Sequence, residues 1–212
     1  MATVLLTGFD PFGGDAVNPS GEAVRTVAER WSSPDRLITE VLPVSFAGAA
    51  ERLRSLLAAH SPDLVIATGL AGGRADITVE RVAVNLADAR IPDNDGEQPT
   101  DAPSLPGAPT ALFATLPVKR IVAAIAEQGI PAVTSLSAGS FVCNHVFLHA
   151  AAWAAGTRGA RAGFVHVPWA AGQEPQGAPA LPAADIAAAI ETALLVSLAH
   201  TTDAAVVGGS LH

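Results

Sequence analysis

Cysteine is nearly absent from this chain: the 212 residues hold one, Cys143. A lone thiol closes no internal disulfide, so the side chain is either a small buried apolar residue or a nucleophile. Positive charge is scarce as well. Twelve lysines and arginines stand against twenty aspartates and glutamates, a formal charge of −8, which argues against a nucleic-acid binder with its basic face. Charged residues make up only 15% of the chain and apolar residues half, so global disorder is excluded. No apolar run reaches membrane-spanning length, and no membrane partner is expected. The opening MATVLLTGFDPFGG has neither a basic leader nor a convincing cleavage site and reads as a first strand. With one cysteine and no export signal, the expected compartment is the cytoplasm.

What is present alternates between strand and helix patterns. ATVLLTGF is a short apolar run ended by Asp-Pro and Gly-Gly, and so a buried strand. Residues 19–31 read as a helix, RLITEVLPV as a second strand, 46–60 as a helix and 63–68 as a third strand closed by GLAGG. Residues 77–85 (ITVERVAVN) alternate and predict one strand with a wetter face. Residues 92–109 are rich in Pro, Asp and Gly, a loop long enough to be functional, mobile or part of an interface. The expectation is that a subunit interface orders it. A helix over 119–128, a strand in PAVTSLS, a helix in VCNHVFLHAAAWAA, a strand in GFVHVPW and an alanine-rich helix over 183–199 follow. This repetition implies one α/β domain over 1–212, a largely parallel sheet with helices on both faces, and a frayed tail from about 200. Chemistry in such sheets gathers beyond the carboxyl ends of the strands. Residues 9–14, 69–74, 137–143 and 166–169 all follow predicted strands.

Cys143 sits where SAGS, read as a turn and N-cap, hands over to a helix, a position whose positive end lowers a thiol pKa. His166 is placed at the rim of its strand by Pro168, although a histidine in an apolar strand is more often a hydrogen-bonded core residue. Glu80 is either a solvated strand residue paired with Arg81 or Arg74, or the third member of a thiol triad that orients the imidazole. His145 and His149 lie four apart on one helix, but HVFLH lacks the glutamate of HExxH and no third ligand is suggested; no metal is expected. GFDPFGG and GLAGGR match neither GxGxxG nor GxxxxGK[ST] and read as tight turns that let backbone N–H groups approach a substrate. SAGS lacks the second glycine of GxSxG, so a serine-hydrolase elbow is unsupported.

These residues resemble the pyroglutamyl peptidase I family. The resemblance rests on TGFDPFGG with NPS, GLAGGRADITVERVAVNLADARIPDNDGEQP, SAGSFVCNHVF and GFVHVP, in that order across residues 3–168. It implies a cytosolic thiol exopeptidase with a three-layer α/β/α sandwich, a mixed but largely parallel sheet of the phosphorylase/hydrolase-like kind, and commonly a homotetramer. Its substrates would be peptides with an N-terminal pyroglutamate, cleaved through a thioester, with no metal or organic cofactor. Carried over by position, the nucleophile falls on Cys143, the base on His166 and the acidic partner on Glu80. Ring contacts fall on Phe9 and Phe12, with Asn18, Arg90 and Phe141 near the site. Members usually carry glutamine where this chain has Leu70. Two other readings stay open: a non-catalytic α/β domain that binds pyroglutamyl peptides, and a nucleoside-type hydrolase or phosphorylase on a similar fold.

Overall fold

The computed structural model describes residues 1–208. Its centre is a six-stranded sheet in the order β2-β1-β3-β8-β4-β7. These are β1 (Thr3–Phe9), β2 (Arg36–Leu42), β3 (Leu64–Leu70), β4 (Ile77–Glu80), β7 (Ala132–Ser135) and β8 (Arg161–Val167). All neighbours pair in parallel except β4 with β8. Five helices cover it: α1 (Pro19–Arg30), α2 (Phe46–His60), α3 (Val118–Ala126), α4 (Val142–Gly156) and α5 (Ala183–Ala199). The sequence makes this arrangement because its central strands are apolar on both sides. In β1, Val4 and Leu6 pack with α1, α3 and α5, whereas Leu5 and Phe9 pack with α2 and α4. The result is the expected three-layer α/β/α sandwich.

Several boundaries differ from the sequence expectation for identifiable reasons. Residues 77–85 are not one strand. β4 ends at Glu80, and β5 (Val82–Val84) leaves the sheet to pair antiparallel with β6 (Ala111–Phe113). A strand of three residues such as β6 carries too little periodicity to be seen. The same holds for the two-residue pair β9 (Trp169–Ala170) and β10 (Ala180–Leu181). Residues 92–109 are irregular, and contacts within the chain hold them. Asn85 holds the backbone of Leu105 and Ala108, Gln98 donates to Ala89, and Ala87 bridges Ala102. The tail from 200 is also not free in its described part. Asp203 accepts from the N–H groups of Lys119 and Arg120 at the start of α3, and Arg120 Nε donates to Thr202. Residues 209–212 lie outside the described residues.

Candidate active site

The carboxyl ends of β1, β3 and β8 share one edge of the sheet, and three of the four expected segments leave from there. The fourth follows β7, which runs opposite to β8, so residues 136–141 must return along the sheet before α4 begins. Cys143 still reaches the shared edge. A Cβ built on Gly69 would stand 2.7 Å from Cys143 Sγ, so the sulfur lies against the backbone at the end of β3. Gly69 is also the strand partner of His166. The third group arrives from the opposite direction: β4 runs antiparallel to β8, and Glu80 is fully buried there.

Glu80 Oε1 lies 2.7 Å from His166 Nδ1 and 2.6 Å from an Arg74 guanidinium nitrogen. A second Arg74 nitrogen donates to the Ser137 carbonyl at 2.9 Å. Glu80 thus pairs with Arg74 and bonds the His166 imidazole, and it is buried rather than solvated. Burial alone would raise its carboxyl pKa; the hydrogen bond from His166, with those from Ser135 and Arg74, outweighs burial and holds it below the usual carboxylate range. An ionised carboxylate only accepts, so Nδ1 carries the proton and Nε2 is left as the base. Burial also lowers His166, against the raising effect of Glu80. The imidazole is therefore neutral near pH 7, and the hydrogen bond it donates, with those from Ser135 and Arg74, keeps Glu80 ionised.

Cys143 is the second residue of α4, at the positive helix end as expected, but the thiol is not acidic. Desolvation, with the Glu80 charge, pushes it up to about 12 against the opposing pull of Arg74. The residue is half-buried, with its sulfur turned to the packed floor at Gly69. The cap assignment is corrected too. The N-cap is Phe141 and supplies no side-chain acceptor, because Ser140 Oγ donates instead to the Asp88 carbonyl at 2.7 Å. The first N–H groups of α4 thus lack both helical and side-chain acceptors, and can serve a developing oxyanion.

Beside the sulfur is a cavity of about 100 Å³ lined by Phe9, Phe12, Asn18, Leu70, Phe141 and Cys143, among others. Five of the six expected substrate contacts therefore meet there. Arg90 does not line it and is exposed. Asn18 is committed to structure: its Oδ1 accepts from Ser20 N and Oγ, and its Nδ2 donates to the Asp10 carbonyl, while Ser20 Oγ accepts from Phe9 N. It caps α1 and fixes the turn that carries both phenylalanines. Sequence reading missed Asp15, Val17, Val44 and Val142, which complete the lining. Single residues in turns, and the first residue of a helix, give no signal of their own. A larger, open cavity of about 600 Å³ along β4 and β7 touches Arg74 and Ser135 but neither Cys143 nor His166, so the small cavity is the one that reaches Cys143. The His145 and His149 rings pack at a tilt of 51° with centres 4.5 Å apart, His145 Nδ1 bonded to Ser104 Oγ. Among the described residues no His, Cys, Asp and Glu cluster could hold a metal.

A family profile described as pyroglutamyl peptidase matches residues 2–200. The chain is 47% identical to a pyrrolidone-carboxylate peptidase of Klebsiella pneumoniae and 48% identical to one of Clavibacter michiganensis, each over the whole of both chains. In structure it resembles pyroglutamyl peptidase I of Bacillus amyloliquefaciens, with a TM-score of 0.91 and 43% identity over 96% of this chain and all of that one. It also resembles the pyrrolidone carboxyl peptidase of Thermococcus litoralis, with a TM-score of 0.89 and 40% identity over 94% of each chain.

Proposed function

This chain belongs to the pyroglutamyl peptidase family, and on that premise we propose that it removes an N-terminal pyroglutamyl residue from peptides by thiol catalysis. The observation that carries the reading is one edge of the sheet bearing a small apolar cavity, a thiol in its wall, and a buried imidazole held by a carboxylate at 2.7 Å. The lactam ring enters between Phe9, Phe12 and Phe141. His166 Nε2 takes the Cys143 proton as sulfur bonds to the pyroglutamyl carbonyl carbon, and the oxyanion is met by N–H groups at the start of α4. The imidazolium then gives its proton to the departing amine as the C–N bond breaks, leaving a thioester. Water attacks that thioester, loses its proton to Nε2, and the thiol is re-formed as pyroglutamate departs. Glu80 fixes the tautomer and stabilises the transient imidazolium. No step calls for a metal or organic cofactor.

The cytoplasm is the proposed compartment, in keeping with a free thiol. Among the described residues no helix is long and apolar enough to cross a membrane. Self-association, expected as a homotetramer, is supported by the exposure of Phe113 (67%) and Leu136 (63%). The test of function is turnover of a pyroglutamyl fluorogenic amide beside its prolyl analogue. The pyroglutamyl amide is expected to be preferred by several orders of magnitude, since the prolyl ring lacks the lactam carbonyl and carries a charged amine. Cys143→Ala should fold and lose turnover. Comparable kcat/KM for the two amides, or substantial activity in Cys143→Ala, would sink the reading.

A further inference from the structure

We propose that the loop at residues 93–97 sets the ring size the cavity admits, with Asp93 as its positioning residue; this rests on the cavity being the lactam site. Asp93 is buried, 6% exposed, and does not itself line the cavity. Its carboxylate uses both oxygens. Oδ1 accepts from the N–H groups of Asp95 and Glu97, each at 2.9 Å, and closes the loop on itself. Oδ2 accepts from Phe46 N at 2.8 Å, at the first residue of α2.

The rest of the loop reaches the cavity walls. Asn94 N donates to the carbonyl of Val44, a wall residue, at 2.9 Å. Asn94 Nδ2 donates at 3.1 Å to the carbonyl of Pro11, which precedes the wall residue Phe12. The Phe46 ring stands edge-on to Phe141, with centroids 5.3 Å apart. Three walls contributed by three separate chain segments are thus tied to one loop. In a cavity of about 100 Å³, a small shift of any wall decides whether one more methylene fits. The loop offers no group to the reacting atoms, so its influence falls on binding and ring discrimination and leaves the chemical step alone.

The experiment compares a pyroglutamyl amide with its six-membered lactam homologue in the wild type, Asp93→Asn, Asn94→Ala and Phe12→Ala, each with a thermal melt. Asp93→Asn keeps an oxygen for the turns of the loop but sets an amide N–H against Phe46 N–H. Asn94→Ala alters an exposed residue and removes only the tie to Pro11. The wild type should prefer the five-membered ring by about 10- to 200-fold, the range one methylene commands in an apolar pocket. Each loop variant should raise KM roughly 3- to 10-fold, hold kcat within about twofold, and reduce the ring preference by a similar factor. Loop variants with lower melting temperatures but unchanged KM and ring preference would overturn the proposal, as would a loss confined to kcat. If Phe12→Ala raises KM while the loop variants do not, the loop's role alone fails. If none of the three changes KM, the lactam-site reading fails and the proposal falls with it.

Discussion

At the scale of the residue, the same burial that places the proposed reactive pair, Cys143 and His166, also decides its charge. The Cys143 thiol is raised to about 12 and His166 is lowered below the ordinary histidine value of 6.5, so the pair rests neutral and the proton moves as sulfur attacks. The sign follows: the proposed mechanism needs the unprotonated imidazole, so kcat/KM is expected to be lost as pH falls through a His166 value below 6.5. It should stay level from neutrality to about pH 9, since no resting imidazolium is there to be deprotonated. A pH profile with a descending limb just above neutrality would instead indicate a thiolate–imidazolium pair. Gly69 sets the sulfur's position. Its added Cβ would also stand 3.0 Å from the Phe164 ring, and a central strand cannot yield, so Gly69→Ala must displace the sulfur. A misplacement near 1 Å costs about 100-fold, and we expect that loss in kcat with KM little changed, together with a lowered melting temperature because the buried Phe164 ring must also give way. Normal kcat in Gly69→Ala would show that the sulfur has room to spare. Cys143 and His166 were legible as candidates from their places after a turn and before a proline. Their charge states were not, because desolvation depends on neighbours distant in sequence.

At the scale of the element, α4 carries the proposed nucleophile, and its first turn is anchored by the next residue. Asn144 is fully buried; its Oδ1 accepts from Val84 N at 3.0 Å, and its Nδ2 donates to the carbonyls of Val84 and Leu86 at 2.8 and 3.2 Å. Asn144→Ala strands these groups on β5 and just after it. It should cost on the order of 1–3 kcal/mol per buried unpaired group and lower kcat through a displaced Cys143. Chemical denaturation with steady-state kinetics reads both, and an unchanged stability would remove Asn144 as the anchor. The helix itself was plain in the sequence, whereas its cap was not: SAGS offered a serine, but Ser140 is drawn to Asp88. Likewise the alternation of residues 77–85 could not reveal a chain that changes sheets at Arg81. A period of two is the same on either side of the crossing.

At the scale of the whole molecule, the order of apolar runs sufficed for the three layers, and hydrogen bonds between remote segments supplied what periodicity could not. The packing also makes the protein sensitive to acid. His145 is lowered to about 4 and His166 below 6.5, both chiefly by desolvation. Each is neutral when folded and protonates near 6.5 when unfolded, so the stability they contribute is present above 6.5 and is lost as pH falls through their folded values. Each contributes a slope approaching about 1.4 kcal/mol per pH unit in that window. Melting temperatures should therefore fall from pH 6.5 toward pH 4, and less so in a variant with His145 replaced by an uncharged residue of similar size. A flat profile would show that these rings are solvated. The central claim is that this fold brings Cys143 to a lactam pocket as the acyl acceptor. It is tested most directly by acid-quenching the enzyme during turnover of a pyroglutamyl ester and mapping the peptides by mass spectrometry. The account predicts one pyroglutamyl group in thioester linkage on the peptide containing Cys143. An adduct on another residue, or no adduct together with undiminished turnover in Cys143→Ala, would contradict it.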